Sequence, residues 1–125
     1  MLTFYCYSRC STCQKAHKEL TVLGLTARVI DLKTDPPNAS LILSWLQTSG
    51  VAQKQFFNTS GLRYRELGLK DKVADLSLAA AAELLATDGM LIKRPLLFDA
   101  AGQLLQIGYR TPYQDLSALQ QKIDK

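Results

Sequence analysis

The first 32 residues switch twice between two kinds of hydrophobic period, and that order leaves few folds open. Leu2-Thr-Phe-Tyr-Cys-Tyr7 is rich in aromatic and β-branched types and predicts a strand. Ser8-Arg9-Cys10-Ser11-Thr12 reads as a turn in which Ser11 or Thr12 caps a helix running to about Leu23. Ala16, Leu20 and Leu23 fall at the i, i+4, i+7 spacing of a buried stripe, and Gly24 stops the helix. Thr26-Ala-Arg-Val-Ile-Asp-Leu32 then alternates as a second strand. Two strands joined by a connection this long form a parallel βαβ unit, because a tight hairpin cannot join parallel strands.

The rest of the chain follows a different pattern. Asp35-Pro36-Pro37 opens a helix over about Asn38 to Thr48, with Leu41 and Trp45 on one face and Ile42 beside them. Val51 to Phe57, Tyr64 to Leu67 and Ser77 to Thr87 read as further helices, separated by turns at Asn58-Thr-Ser-Gly61 and Lys70-Asp-Lys72. Trp45, Phe56 and Phe57 read as core packing. After Asp88-Gly89, Pro95-Leu-Leu-Phe98 and Gln103-Leu-Leu-Gln-Ile-Gly108 are short strands joined by Asp99-Ala-Ala-Gly102. Pro112 opens a last amphipathic helix using Leu116, Leu119 and Ile123. The expectation is one α/β domain: a small mixed sheet with a helical insertion (residues 35–88) between a βαβ half (1–34) and a ββα half (89–125).

At 125 residues the chain can bury a core without disulfides or a structural metal, and 47% apolar with 21% charged residues argues against disorder. No apolar run reaches the roughly 18–20 residues needed to span a bilayer. The N-terminus lacks the basic-then-apolar order of a secretory signal, so a cytoplasmic location without a membrane is expected. The net charge of +4 comes from scattered residues, so it makes no case for direct nucleic-acid binding.

Three cysteines, an odd number in a chain without a signal, argue against a disulfide scaffold. Cys10-Ser-Thr-Cys13 lies where the first strand hands over to the first helix. Free N–H groups and the helix dipole stabilise an anion there, so the Cys10 thiolate is favoured and Cys10 is the candidate nucleophile. Cys13 stands one turn on, placed to attack a mixed disulfide on Cys10. Arg9 and Lys15 add positive charge, and Ser11 and Thr12 supply the anion-cradling turn. The bland alternative is two ordinary neighbouring thiols. Zinc is disfavoured, because only Cys6 and the single histidine, His17, remain as further ligands. A tyrosine-phosphatase loop is excluded: Cys-x5-Arg would need arginine where Ala16 stands. Cys6 reads as a small buried apolar residue, with a backup redox partner as the other reading, and His17 as a surface residue.

Arg94-Pro95 precedes the strand that opens the second half of the sheet. In thioredoxin-like folds a cis-proline commonly occupies this place beside the active cysteine, and X–Pro bonds are those for which cis is inexpensive. Arg94 would then reach the Cys10 pocket and bind an anion. The alternative is a trans-proline with a surface arginine.

Tyr7-Ser-Arg-Cys-Ser-Thr-Cys-Gln-Lys-Ala16 resembles the active-site segment of the arsenate-reductase-like family, which includes the Spx transcription regulators. Phe57-Asn-Thr-Ser-Gly61, Tyr64-Arg-Glu-Leu-Gly-Leu69, Asp88-Gly-Met-Leu-Ile-Lys-Arg-Pro95 and Gln106-Ile-Gly-Tyr109 resemble it in the same order. The resemblance implies a thioredoxin-like mixed sheet with a helical insertion. It also implies a catalytic cysteine at Cys10 and anion-binding arginines, one of them Arg94. The position of a second such arginine matches Asn58, and a third falls near Tyr109 or Arg110. Enzymes of this family generally lack a cysteine at the position of Cys13 and use glutathione and glutaredoxin instead. The Spx branch carries Cys-x-x-Cys as a redox switch and binds the C-terminal domain of the RNA polymerase α subunit. It has a glycine near the position of Gly50, a basic residue where Ser60-Gly61 stands, and often a longer charged tail.

Two functions follow as expectations. The first is a thiol-dependent oxidoreductase with Cys10 as nucleophile and Cys13 resolving. Arg9, Ser11, Thr12, Arg94 and Pro95 form its anion and substrate site. It binds no resident cofactor or metal. Its partners are a small oxyanion, glutathione or a protein disulfide, and its reductant is glutathione or a thioredoxin- or glutaredoxin-type protein. The second is a redox-sensing regulator that contacts the RNA polymerase α subunit.

Overall fold

A computed structural model describes residues 1–123, with side chains described as far as residue 120. Along the chain run β1 (Leu2–Cys6), α1 (Ser11–Val22), β2 (Ala27–Asp31), α2 (Ala39–Thr48), α3 (Leu62–Glu66), α4 (Leu78–Thr87), β3 (Leu96–Phe98), β4 (Leu104–Ile107) and α5 (Ser117–Ile123). Short 3-10 turns stand at Gln53–Phe56, Val73–Asp75, Gly89–Leu91 and Tyr113–Asp115. The chain divides into two compact units. One is residues 1–31 with the chain from Arg94 onward; the other is residues 32–93. Among the described residues no helix is long and apolar enough to cross a membrane.

The first unit is built on a four-stranded mixed sheet in the order β2-β1-β3-β4. The β1–β2 pair is parallel, with Phe4 opposite Val29, and α1 is its crossover. β3 runs antiparallel to β1, and β4 antiparallel to β3 with an irregularity at Leu97/Phe98. Alternation along β1 sends Leu2, Phe4 and Cys6 into one layer with Cys13, Ala16 and Leu20 of α1, closed by Leu97, Tyr113 and Leu119. Each fully buried Leu or Phe here contributes about 1.5–3 kcal/mol. Leu23, expected in the buried stripe, is only half-buried, and Cys13 completes the stripe instead.

The expected stop of α1 is seen in detail. Gly24 takes φ +72°, its N–H donates to Thr21 O, and the Leu25 N–H donates to Leu20 O at 2.9 Å. These two bonds and the left-handed glycine make a Schellman cap. The N-terminus of α1 differs from expectation. Cys10, not Ser11 or Thr12, is the capping residue, and it makes no side-chain cap bond. The Cys10 carbonyl accepts the first intrahelical bond from Gln14, so the helix starts one residue earlier than a hydroxyl cap would allow.

In the second unit α2 packs against α4. Asn38 caps α2, accepting from the Leu41 N–H at 2.8 Å, and Ser77 caps α4 through the Ala80 N–H at 3.0 Å. The buried face of α2 is Ile42, Trp45 and Leu46, which leaves Leu41, expected to share a face with Trp45, 40% exposed. The expected helix over 51–57 is only one 3-10 turn. Phe57 is already extended and pairs with Ile92, so no residues remain for a second helical turn. Phe56 and Phe57 are buried as expected. Gly89 is required by space: a Cβ there would lie 1.7 Å from the Leu32 carbonyl oxygen.

Pro112 does not open a continuous helix. Tyr113–Asp115 is a 3-10 turn and Leu116 is extended before α5 begins. The reason lies in Glu19, whose carboxylate accepts the Tyr113 and Gln114 N–H groups at 2.5 and 3.1 Å. Leu119 is fully buried, while the expected role of the Ile123 side chain lies outside the described residues.

Candidate active site

The turn after β1 closes when the Cys10 N–H donates to the Tyr7 carbonyl at 3.0 Å. The Gln14 side-chain amide ties the Ser8 carbonyl at 2.9 Å. This fixes Cys10, half-buried, at the head of a 12-residue helix. Because no side chain fills the cap, first-turn N–H groups are left for its sulfur.

Burial pushes the Cys10 thiol up, but four donors outweigh it and hold it below its ordinary value. They are the Cys13 N–H, the Cys13 thiol, the Arg94 guanidinium and the Thr12 N–H. Each favours the thiolate by hydrogen bonding to it. Cys13 moves the other way. Burial and its proximity to Cys10 and Cys6 push it up to about 12, although the Tyr7 N–H donates to its sulfur at 3.4 Å. The site thus holds one thiol poised to ionise and a second, protonated one that donates to it.

Arg94 enters from the start of β3. The Arg94–Pro95 peptide bond is cis, as the position suggested, and the buried Pro95 accepts the Gly108 N–H on its carbonyl at 2.8 Å. The guanidinium lies 5.3 Å from the centre of the Tyr7 ring while it donates to Cys10. An aromatic face under a guanidinium is a favourable cation–π contact of about 0.5–1 kcal/mol at a partly exposed site.

The other expected site residues separate into two groups. Ser11 and Thr12 are exposed on the first turn of α1, and Thr12 acts through its backbone. Arg9 and Lys15 are exposed and are not among the groups that hold the Cys10 thiol down. His17 is exposed with its ring 5.8 Å from that of Phe4. Tyr109 donates to Glu19 at 2.6 Å and meets Tyr113 edge-on at 4.9 Å; burial and Glu19 push its phenol up to about 12. Arg110 is exposed. Asn58 belongs to the second unit, where its N–H donates to the Leu91 carbonyl at 2.7 Å.

Two contributors were not singled out from the sequence. Tyr7 supports Arg94 and closes the turn; its signal is an aromatic at the strand end three residues before Cys10. Glu19 fastens the segment after β4 to α1, and nothing local distinguishes it from any exposed helical glutamate.

Comparison with known proteins adds an independent line. A family model described as the ArsC family matches residues 5–118. The crystal structure of a possible arsenate reductase from Streptococcus mutans UA159 superposes with a TM-score of 0.88 at 60% identity, over 93% of this chain and 97% of that one. An uncharacterized protein, YusI of Bacillus subtilis strain 168, is 45% identical over 109 residues, 87% of this chain and 91% of its own. The global transcriptional regulator Spx of Lactiplantibacillus plantarum is 26% identical over 109 residues, 87% of this chain and 80% of its own. The fold is the expected thioredoxin-like mixed sheet with a helical insertion in the chain order.

Proposed function

The chain belongs to the ArsC family, and from that premise we propose that it is a thiol-dependent oxidoreductase with Cys10 as nucleophile and Cys13 as an internal resolving thiol. The observation that carries this reading is the pairing of an uncapped helix N-terminus and Arg94 on Cys10 with a protonated Cys13 donating to it. The Cys10 thiolate attacks a disulfide sulfur and expels one thiolate, leaving a mixed disulfide. Cys13 loses its proton and attacks Cys10 Sγ, which expels the second thiolate and leaves Cys10–Cys13. With an oxyanion such as arsenate the same two thiols supply the two electrons. Cys10 displaces hydroxide from As(V), and attack by Cys13 on Cys10 Sγ releases arsenite. Glutathione or a thioredoxin- or glutaredoxin-type protein restores the dithiol.

Arg94 and the first-turn N–H groups bind the anion or a glutathione carboxylate, with Pro95 shaping the edge of the site. The family resemblance puts Asn58 where related enzymes carry an anion-binding arginine, so disulfide exchange is the expected stronger activity and arsenate turnover the weaker. Similarity to Spx supports a second reading, a redox-sensing regulator that binds the C-terminal domain of the RNA polymerase α subunit.

The test is the pH profile of iodoacetamide alkylation at Cys10, together with mass analysis after exposure to glutathione disulfide. An inflection below the ordinary thiol value of about 8.5, with loss of two hydrogens on oxidation, is expected. An ordinary inflection and no internal disulfide would sink the redox pair. Capture of the polymerase domain by the reduced or the oxidised form alone, without turnover of disulfide or arsenate, would favour the regulator.

A further inference from the structure

The first unit holds a third thiol that the reaction above does not use. Cys6 ends β1 on the face that carries Leu2 and Phe4, and it lies in the same core layer as Cys13. The Tyr7 N–H, on the peptide that follows Cys6, donates to Cys13 Sγ at 3.4 Å. That contact holds the Cys13 sulfur within about 6 Å of Cys6 Cα. Strand alternation and the turn at Tyr7 therefore bring both side chains into one small space between β1 and α1.

We propose that Cys6 is a relay thiol: in the oxidised protein its sulfur attacks Cys13 Sγ, moves the disulfide to Cys6–Cys13 and returns Cys10 to the reduced state. This rests on the reading of Cys10 and Cys13 as a redox pair. Cys6 gives up its proton and its sulfur bonds to Cys13 Sγ. The Cys10–Cys13 bond breaks, and its electron pair leaves on Cys10. The step is an isomerisation: no oxidant or reductant is consumed, and one disulfide is exchanged for another.

Physical chemistry favours that direction. Thiol exchange is fastest when the leaving thiolate is the best stabilised of those present. Cys10 is that group, held by two backbone N–H groups and Arg94. Cys6 and Cys13 are the poorly ionising pair, pushed up first by burial and further by neighbouring negative charge. The disulfide is then stored between the two thiols least stable as thiolates, and the exposed edge of the site regains its nucleophile. Cys10 is left free to take a second low-molecular-weight disulfide, such as that of glutathione.

Trypsin reads the outcome directly, because it cleaves after Arg9 and Lys15 and so separates Cys6 from a peptide that holds both Cys10 and Cys13. The full chain is oxidised with glutathione disulfide, alkylated with iodoacetamide under acid-denatured then neutral conditions, and digested without reduction. Residues 1–9 linked to 10–15 through Cys13, with Cys10 alkylated or glutathionylated, is the expected result. A Cys6→Ser variant is expected to keep the 10–15 internal disulfide and to lose at least tenfold in Cys10 alkylation of the oxidised form. An internal Cys10–Cys13 disulfide alone in the wild type, with Cys6 alkylated, overturns the relay and leaves the redox pair standing. A Cys6–Cys10 link overturns the relay and removes Cys13 as resolver. No protein disulfide at all overturns both readings.

Discussion

At the residue scale, the reactivity of Cys10 comes from placement more than from any one charged neighbour. A serine or threonine at the head of α1 would have filled the cap with its own oxygen; cysteine leaves the N–H groups to its sulfur. Arg94 is the one side-chain cation among its donors. An Arg94→Ala variant loses a charge-assisted hydrogen bond of about 1.5–3 kcal/mol in a dry site, less here because solvent screens a half-exposed pair. Iodoacetamide alkylation at pH 7 is expected to slow by about three- to tenfold, with the inflection moving up toward the ordinary thiol value. An unchanged profile would mean that the helix terminus alone sets the thiolate. Arg9→Ala, by contrast, is expected to leave the profile unchanged, since the exposed Arg9 is not among the groups that hold the Cys10 thiol down.

At the element scale, glycines separate conformational from spatial requirements. Gly24 stands at φ +72° with open space around a Cβ, so Gly24→Ala is expected to cost only about 1 kcal/mol through strain. Gly89 has no such φ, but a Cβ would strike the Leu32 carbonyl, so Gly89→Ala is expected to lower the urea midpoint several times more. Equal midpoints would show that the backbone around Gly89 yields. Glu19 joins α1 to the chain after β4 through three hydrogen bonds. Glu19→Ala is expected to cost about 2 kcal/mol in urea unfolding, and Tyr109→Phe, which removes one of the three, about a third to a half of that. Both helix corrections come from partners distant in sequence. Tyr113 is drawn to Glu19, ninety-four residues away, and Phe57 to Ile92. A reading that weighs only neighbours along the chain has no access to either pull.

At the scale of the whole molecule, the two thiols of the pair tie stability to pH in opposite senses. Cys10 ionises more readily in the folded state, so its contribution is present above about pH 8.5 and is lost as pH falls through its depressed value. Cys13, pushed up to about 12, keeps its proton when the unfolded chain has lost it, so stability falls as pH rises above about 8.5. Tyr109, also near 12, adds to that decline above about pH 10. The reduced protein is therefore expected to lose about 1–2 kcal/mol in urea unfolding between pH 8.5 and 10. Cys13→Ala should lessen that slope, part of it remaining through Cys6, whose thiol burial also pushes up; oxidation to an internal disulfide should lessen it as well, and a slope unaltered by either would place its origin elsewhere. By itself the sequence determined the βαβ and ββα order, the parallel pairing of β1 with β2, the helical insertion, the glycine stop of α1 and Cys-x-x-Cys at a strand-to-helix junction. Each of these follows from residue spacing or from a local backbone preference. Only the tertiary structure decided that Cys10 itself is the cap, that Tyr7 underlies Arg94 and that Cys6 shares a layer with Cys13. Those relations are set by how strand, helix and cis-Pro95 meet in space, and separation along the chain carries no measure of that distance.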